Sequence, residues 1–384
     1  MKELQCFAGV NFGMEAVAKR ELEDLGFEEV HAKDGRVYFL ADEEGILRAN
    51  LWMRTAERIY LVLGEFVARS FEELFQGVTN LPWEEHIPKE GCFLVSGKSV
   101  KSTLYSVSDC QRIAEKAIVK RLQKTYPILR FPKSGERYKI EVSLLKDVVT
   151  VALDTSGEGL HKRGYRARSG RAPLTETLAA GLVNLSFWKP NRLLADPCCG
   201  SGTILIEAAM AARKMAPGLG RSFDCESWMR FDKGLVKRLR QEAYEVVDTK
   251  TRLELVGSDI DRKVLSVAKQ NALEAGVADD ISFFCKDVAT VDYPDDYGVI
   301  ITNPPYGERI GKGSDLERVY KDLGRLHKSL HTYSTYMVTS LKEAPKLFGK
   351  KPDRLRRLYN GRIEVTYYQF YGPRPPREVG KRQK

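Results

Sequence analysis

The sequence predicts an α/β protein: a doubly wound, mostly parallel sheet with a C-terminal antiparallel hairpin, preceded by a smaller α+β region. Three observations lead there. Beyond Trp188, short β-branched runs alternate with amphipathic stretches of helical period, the pattern of a parallel sheet with helices on both faces. Before residue 155 the order is instead strand, helix, strand, strand, with a hairpin signal at Asp34-Gly35. The 384 residues, 43% hydrophobic and 10% aromatic, are enough for two or three packed domains.

In chain order, Leu4–Ala8 reads as a strand and Gly13–Leu25 as an amphipathic helix with Ala16, Val17 and Leu22 inward, stopped by Gly26. Strands over 29–32 and 36–40 form the hairpin, then a helix runs from about Asp42 to Thr55 and a strand over 58–64. Residues 1–60 are expected to form one small unit, and nothing in it looks catalytic. His31 and His86 stand alone, as surface or core histidines usually do. A second unit is expected over 61–155. Cys92–Ser96 reads as a strand, and Ser108-Asp109-Cys110-Gln111 has the capping-box pattern that opens a helix. In that helix Arg112, Lys116, Lys120 and Lys124 recur every four residues along one side, with Ile113, Ala117, Ile118 and Leu122 on the other. Strands over 138–142 and 148–154 follow. The basic stripe is either a solvated face or a phosphate-contacting one.

Residues 156–173 form a basic connector within a third region, 156–384. Lys162, Arg163, Arg166, Arg168 and Arg171 with Tyr165 among them fit a phosphate track beside a stacking platform. Ala172–Leu178 opens a helix to about Leu185 whose unpaired amides could face a carboxylate. Strands are then expected at 192–195, 253–258, 281–285, 299–302 and 335–339, with helices at about 203–214, 233–247, 262–275 and 315–330. Asn360-Gly361 marks a terminal hairpin whose return strand runs from Val365 to Tyr371.

Four strand ends carry chemistry. The first leads into Asp196-Pro197-Cys198-Cys199-Gly200-Ser201-Gly202-Thr203, where Gly200 and Gly202 let a ligand approach the backbone and Asp196 can take an ammonium group. The second ends at Asp259, placed to hold ribose hydroxyls. The third ends at Asp287, where a carboxylate can accept from an adenine amine. The fourth ends in Asn303-Pro304-Pro305-Tyr306, a stiff elbow that projects an amide, free carbonyls and an aromatic ring. Leu205 replaces the third glycine of a dinucleotide fingerprint, and 57 residues separate Gly202 from Asp259, far above the ~20 of that fingerprint. An insertion around residues 216–231 accounts for the gap, and a nicotinamide oxidoreductase is disfavoured.

Charge is segregated: net −8 over residues 1–90, +6 over 91–155 and +12 over 156–384, for +10 in all. A polyanion is therefore expected on the middle and C-terminal parts. Seven cysteines, odd in number and without a C-x-x-C pair, favour reduced thiols and cytoplasmic residence over disulfides or a zinc cluster. No run of roughly 18 apolar residues predicts a membrane span.

The strand ends resemble those of class I S-adenosylmethionine-dependent methyltransferases acting on amines. Leu160-His161-Lys162-Arg163-Gly164-Tyr165-Arg166, Ala172-Pro173-Leu174, the Asp196–Ala209 stretch and Asn303–Arg309 resemble the THUMP-domain guanine-N2 methyltransferases, those acting on 23S rRNA above all, over essentially the whole chain. The resemblance implies a class I methyltransferase sheet preceded by a ferredoxin-like domain and a THUMP RNA-binding domain. It implies S-adenosyl-L-methionine as cofactor, held by Asp196, Gly200, Gly202, Asp259 and Asp287. Asn303 and Pro304 would accept the two amine hydrogens, and Tyr306 would stack on an unstacked base. RNA, in 23S rRNA or a large-subunit precursor, is the expected partner, met by Arg112, Lys116, Lys120, Lys124, Arg163 and Arg166, with no metal required. An elbow of this kind also serves enzymes acting on tRNA guanine and on adenine or cytosine in DNA. A non-catalytic RNA-binding assembly protein is the alternative of another class.

Overall fold

The computed structural model describes residues 3–166, 174–294, 296–306 and 314–376, and the chain divides into two compact units. The first takes residues 1–10, 18–160 and 217–245. The second takes 11–17, 161–216 and 246–384.

The first unit is built on one seven-stranded sheet. Its elements are β1 (Leu4–Val10), α1 (Glu15–Asp24), β2 (His31–Lys33), β3 (Arg36–Ala41), α2 (Glu43–Trp52), β4 (Ala56–Val67), α3 (Phe71–Thr79), β5 (Cys92–Val100), α4 (Val107–Thr125), β6 (Arg137–Leu145) and β7 (Val148–Asp154). The strand order is β2-β3-β1-β4-β7-β6-β5. Residues 1–60 and 61–155 therefore share a sheet, because β4 is 12 residues long: its first half pairs with β1 and Tyr60–Val67 pair with β7. The one parallel pair, β5 with β6, is joined by the 19-residue α4, the crossover that parallel strands require. The Asp34-Gly35 turn forms as expected, with both residues at positive φ (51° and 76°). In α1, whose first turn counts with the second unit, Val17 and Leu22 are buried but Ala16 is exposed, a correction to the inward face expected of that helix. The capping box is also corrected: α4 starts two residues earlier, with Ser106 as N-cap. The Ser106 hydroxyl donates to Asp109, so that carboxylate rather than a capping box meets the helix N-terminus.

The expected insertion is real and larger than read. Residues 217–245, including α7 (Lys233–Glu245), belong to the first unit. The Trp228 ring stacks on Tyr138 at 4.9 Å while its indole N–H donates to the Arg137 carbonyl, and the Gly218 amide donates to the Leu51 carbonyl.

The second unit alternates strand and helix: α5 (Glu176–Asn184), β8 (Leu194–Asp196), α6 (Thr203–Ala212), β9 (Leu255–Asp259), α8 (Arg262–Glu274), β10 (Ile281–Cys285), β11 (Val299–Thr302), α9 (Ser314–Ser329), β12 (Ser334–Thr339), α10 (Ala344–Phe348), β13 (Arg354–Asn360) and β14 (Ile363–Phe370). The order β10-β9-β8-β11-β12-β14-β13 is parallel through β12, and the last two strands are antiparallel. This is the doubly wound sheet with the appended hairpin. Strand order reverses between β8 and β11, which puts a crevice beyond their C-terminal ends.

Candidate active site at the β8–β11 crevice

The register sets Val299 against Leu194 and Ile300 against Ala195, so the two strands end side by side. The Thr302 hydroxyl donates to the Asp196 carboxylate at 2.7 Å, and the Cys198 amide donates to the same oxygen at 3.1 Å. Asp196 is 1% exposed. Burial raises its pKa to about 7, against the opposing pull of those two hydrogen bonds, and no cation is among the causes. Thr302 went unread in the sequence, although it directly precedes the elbow.

The glycine loop is strapped to β9. The Cys199 amide donates to the Ser258 carbonyl at 2.9 Å, and the Gly200 amide to the Asp259 carboxylate at 3.0 Å. Gly200 has φ +52° with no atom within 4 Å of where a Cβ would stand, so the backbone borders open space. Gly202 (φ +80°) is the N-cap of α6 and offers no side-chain cap to that helix's unpaired amides. Asp259 also accepts from the Asp261 amide, and burial raises its pKa. Asp287 accepts from the Ala289 amide and from Arg318 at 2.9 Å, and is held below the usual carboxylate range mainly by the first of these. Three carboxylates thus stand at three strand ends around an open glycine loop, an acceptor set suited to a cationic ligand with hydroxyls and an amine.

At the fourth strand end the Asn303 residue is half-buried, yet its side-chain oxygen is fully enclosed and has no hydrogen-bond partner among the described residues. The Pro305 carbonyl accepts from the Tyr320 hydroxyl, which also meets the Thr339 hydroxyl, so the elbow is braced from α9 and β12. Pro304 is buried, and Tyr306 is 7% exposed within the apolar cluster that includes Tyr165, Leu174, Cys199 and Ile204. Residues 307–309 of the elbow's continuation lie outside the described residues.

The basic candidates divide. Arg112, Lys116, Lys120 and Lys124 are all exposed on α4, while Ala117, Ile118 and Leu122 are buried. Arg112 pairs with Asp109, and the Lys120 ammonium lies 5.1 Å from the centre of the Phe75 ring. The phosphate-track reading of the connector is corrected at Arg163 and Arg166. Arg163 is 4% exposed and its guanidinium lies 3.5 Å from the carboxylate of Glu207, which is 0% exposed. The Tyr165 hydroxyl donates to the same carboxylate at 3.0 Å, so that ring is no open platform. Arg166 donates to the Thr203 hydroxyl and the Leu174 carbonyl and pairs with Glu176 at 3.4 Å. A guanidinium committed to a buried carboxylate cannot be released to solvent cheaply. Arg168 and Arg171 lie outside the described residues. The helix expected to open at 172–178 begins at Glu176, and the Thr175 amide before it donates to the Asn360 side chain rather than standing open to a ligand. The missed signal was Glu207, a lone carboxylate inside the otherwise apolar Thr203–Ala212 helix.

Among the described residues no group of three or more potential metal ligands occurs, and no helix is long and apolar enough to cross a membrane.

Residues 163–369 match the family described as RMKL-like, methyltransferase domain. This chain belongs to that family. Residues 5–60 match the RlmL ferredoxin-like domain and 68–154 the THUMP domain, so the RMKL-like domain follows both in the chain. YpsC of Bacillus subtilis (strain 168) is 44% identical over 381 residues, covering 98% of this chain and 99% of the relative. The ribosomal RNA large subunit methyltransferase K/L of Shewanella baltica (strain OS185) is 35% identical over 373 residues, covering 95% of this chain and 52% of the relative. The chain thus spans about half the length of that relative. Among solved structures, SMU.472 in complex with SAH superposes with a TM-score of 0.91 at 41% identity, covering 98% of this chain and 100% of that one. A Listeria monocytogenes protein named as a predicted N6-adenine-specific DNA methylase superposes at 0.92 with 45% identity, covering 97% of each. The chain is thus a methyltransferase whose RMKL-like domain is preceded by a THUMP domain.

Proposed function

We propose that this RMKL-like protein transfers a methyl group from S-adenosyl-L-methionine to the N2 amine of a guanine in 23S rRNA, acting in the cytoplasm on the RNA or a large-subunit precursor. The observation that carries the chemistry is the enclosed oxygen of Asn303, without a partner among the described residues, directly after the Thr302 that holds buried Asp196. A buried acceptor without a donor is costly to keep, and an incoming exocyclic amine supplies the missing hydrogen.

In this reading Asp196, Gly200 and Gly202 hold the methionine part of the cofactor, Asp259 the ribose and Asp287 the adenine. The cofactor supplies an electrophilic methyl group. Asn303 and the Pro304 carbonyl accept the two amine hydrogens, so the nitrogen lone pair is aimed rather than deprotonated at the outset. Tyr306 is buried, so stacking on a flipped guanine requires a face of its ring to be uncovered on binding. Residues 1–60 then form the ferredoxin-like domain, 61–155 the THUMP domain with the α4 stripe on phosphates, and 156–384 the methyltransferase domain. Ribosomal RNA is favoured over DNA by the THUMP match and by the K/L relative's name.

Asn303→Ala is expected to lower methyl transfer by about 100-fold or more while RNA binding survives. Near wild-type transfer of labelled methyl by that variant removes Asn303 from the reaction. Incubation of unmodified ribosomal RNA with labelled cofactor should give N2-methylguanosine that maps to 23S rRNA. Label confined to adenine or cytosine of DNA would replace this substrate with the second reading, which the Listeria relative's name favours.

A further inference from the structure

We infer that the second unit carries a further RNA-binding site, for a single-stranded nucleotide, at the end of its sheet opposite Asn303. This inference rests on RNA being the substrate.

A cavity of about 650 Å³ opens there, lined by Phe187, Lys189, Asn191, Arg192, Ser334 and the Tyr371–Pro375 segment. Its size lies within the ~300–1,000 Å³ of small-ligand sites. Among the described residues its lining holds three cations and no carboxylate. Asp353 lies close by but accepts from the Tyr371 amide and is not part of the lining.

The walls are tied together by hydrogen bonds. Arg192 donates to the carbonyls of Tyr297, Phe187 and Gly298, and the Trp188 indole donates to the Arg192 carbonyl. The Gly372 amide donates to Ser334, and a Cβ at Gly372 would stand 2.4 Å from the Tyr333 carbonyl oxygen. Pro373 and Pro375 flank Arg374 and stiffen the chain that presents it. Lys189 and Arg374 are exposed and form no side-chain hydrogen bond or ion pair with a described residue. Phe187 is 54% exposed, with its ring 5.0 Å from that of Tyr371.

An exposed aromatic beside two uncommitted cations is the arrangement that takes a base on its face and a phosphate at its edge. Arg192, tied to carbonyls, sets the floor, while Lys189 and Arg374 make the phosphate contacts. The position suits a substrate that also reaches the active site. Tyr297, held by Arg192, and Asn303 lie at opposite ends of β11, six residues and about 20 Å apart. One folded RNA can span that distance, with its target base at one end and a flanking loop nucleotide at the other.

The test compares wild type with Phe187→Ala and with the double variant Lys189→Ala, Arg374→Ala, using methyl transfer to a 23S rRNA fragment over a range of salt. Thermal melting checks that each variant is folded. We expect KM to rise roughly tenfold for Phe187→Ala. The double variant should flatten the dependence of log affinity on log salt by about 1.4, which is about 0.7 for each lost contact to a single strand. The value of kcat should hold in both, because none of these side chains meets the reacting amine. A photoreactive residue at position 187 should crosslink to RNA. Folded variants with wild-type KM and salt slope, alongside a wild type that transfers methyl to RNA, overturn this site alone. Crosslinks to protein only, in ribosomal precursor particles, overturn it in favour of a protein partner. A wild type that transfers no methyl to any RNA overturns the substrate reading and this one together.

Discussion

The connector and the α4 stripe look alike as text in one respect: each carries basic residues at short spacing. In the fold they have opposite fates. On α4 the four-residue spacing puts Arg112, Lys116, Lys120 and Lys124 on one exposed side. In the connector Arg163 and Arg166 turn inward, onto Glu207, Glu176 and Thr203. The difference lies in what waits for the cation. Glu207 sits in a helix buried from Thr203 to Met210, and a carboxylate there must find a donor or be neutralised. A run of positive charge therefore says little about nucleic acid until the carboxylates elsewhere in the chain have been counted.

The sharpest way to break this comparison is Arg163→Ala, which strands Glu207 in the core. It should cost about 3–5 kcal/mol of stability, measured by denaturant or thermal unfolding. A loss below about 1 kcal/mol would place Arg163 with the solvated cations after all. Arg163→Met combined with Glu207→Leu should restore most of that loss, since both charges leave together.

A buried carboxylate with no cation sharpens the same rule. Asp196 is raised to about 7, so between about pH 4 and 7 the folded protein keeps a proton that the unfolded chain has lost. Stability should therefore fall as pH rises through that window, by an amount on the order of a few kcal/mol. Asp196→Asn should flatten the fall. Melting temperatures of both proteins from pH 5 to 8 decide it, and parallel curves would remove Asp196 as the cause.

The stripe should show the reverse profile. Lys116→Glu with Lys120→Glu should weaken RNA binding and flatten its salt dependence by about 1.5–2 in log–log slope. The smallest expected effect is on folding: the same pair should change stability by no more than about 0.5 kcal/mol, because both side chains are solvent-exposed. An unchanged salt slope returns the stripe to a merely solvated face.

Much of the second unit was legible because its signals are local. Val299–Thr302 and Ile281–Cys285 were read at the residues where they form, since a β-branched or apolar run bounded by turn residues has few other solutions. The glycine loop and the Asn303 elbow were legible for the same reason, their backbone needs being written in Gly, Pro and Asn. The start of α4 was misread by two residues because Ser106 and Ser108 are both plausible caps, and only the Ser106–Asp109 bond chooses between them. Ala16 was misread because one position of a helix is small enough to face either way.

The sequence by itself determined the alternation of strands and helices, the four polar strand ends and the spacing that set aside a dinucleotide fingerprint. Tertiary structure alone decided that β4 carries one sheet across residues 60 and 61, and that residues 217–245 pack in the first unit. It also decided that Arg163 is internal, and that a cationic cavity lies at the far end of the second sheet. The physical reason is range. Periodicity and turn chemistry act over a few residues, whereas burial of a charge depends on a partner such as Glu207, 44 positions from Arg163, that only the folded chain brings near.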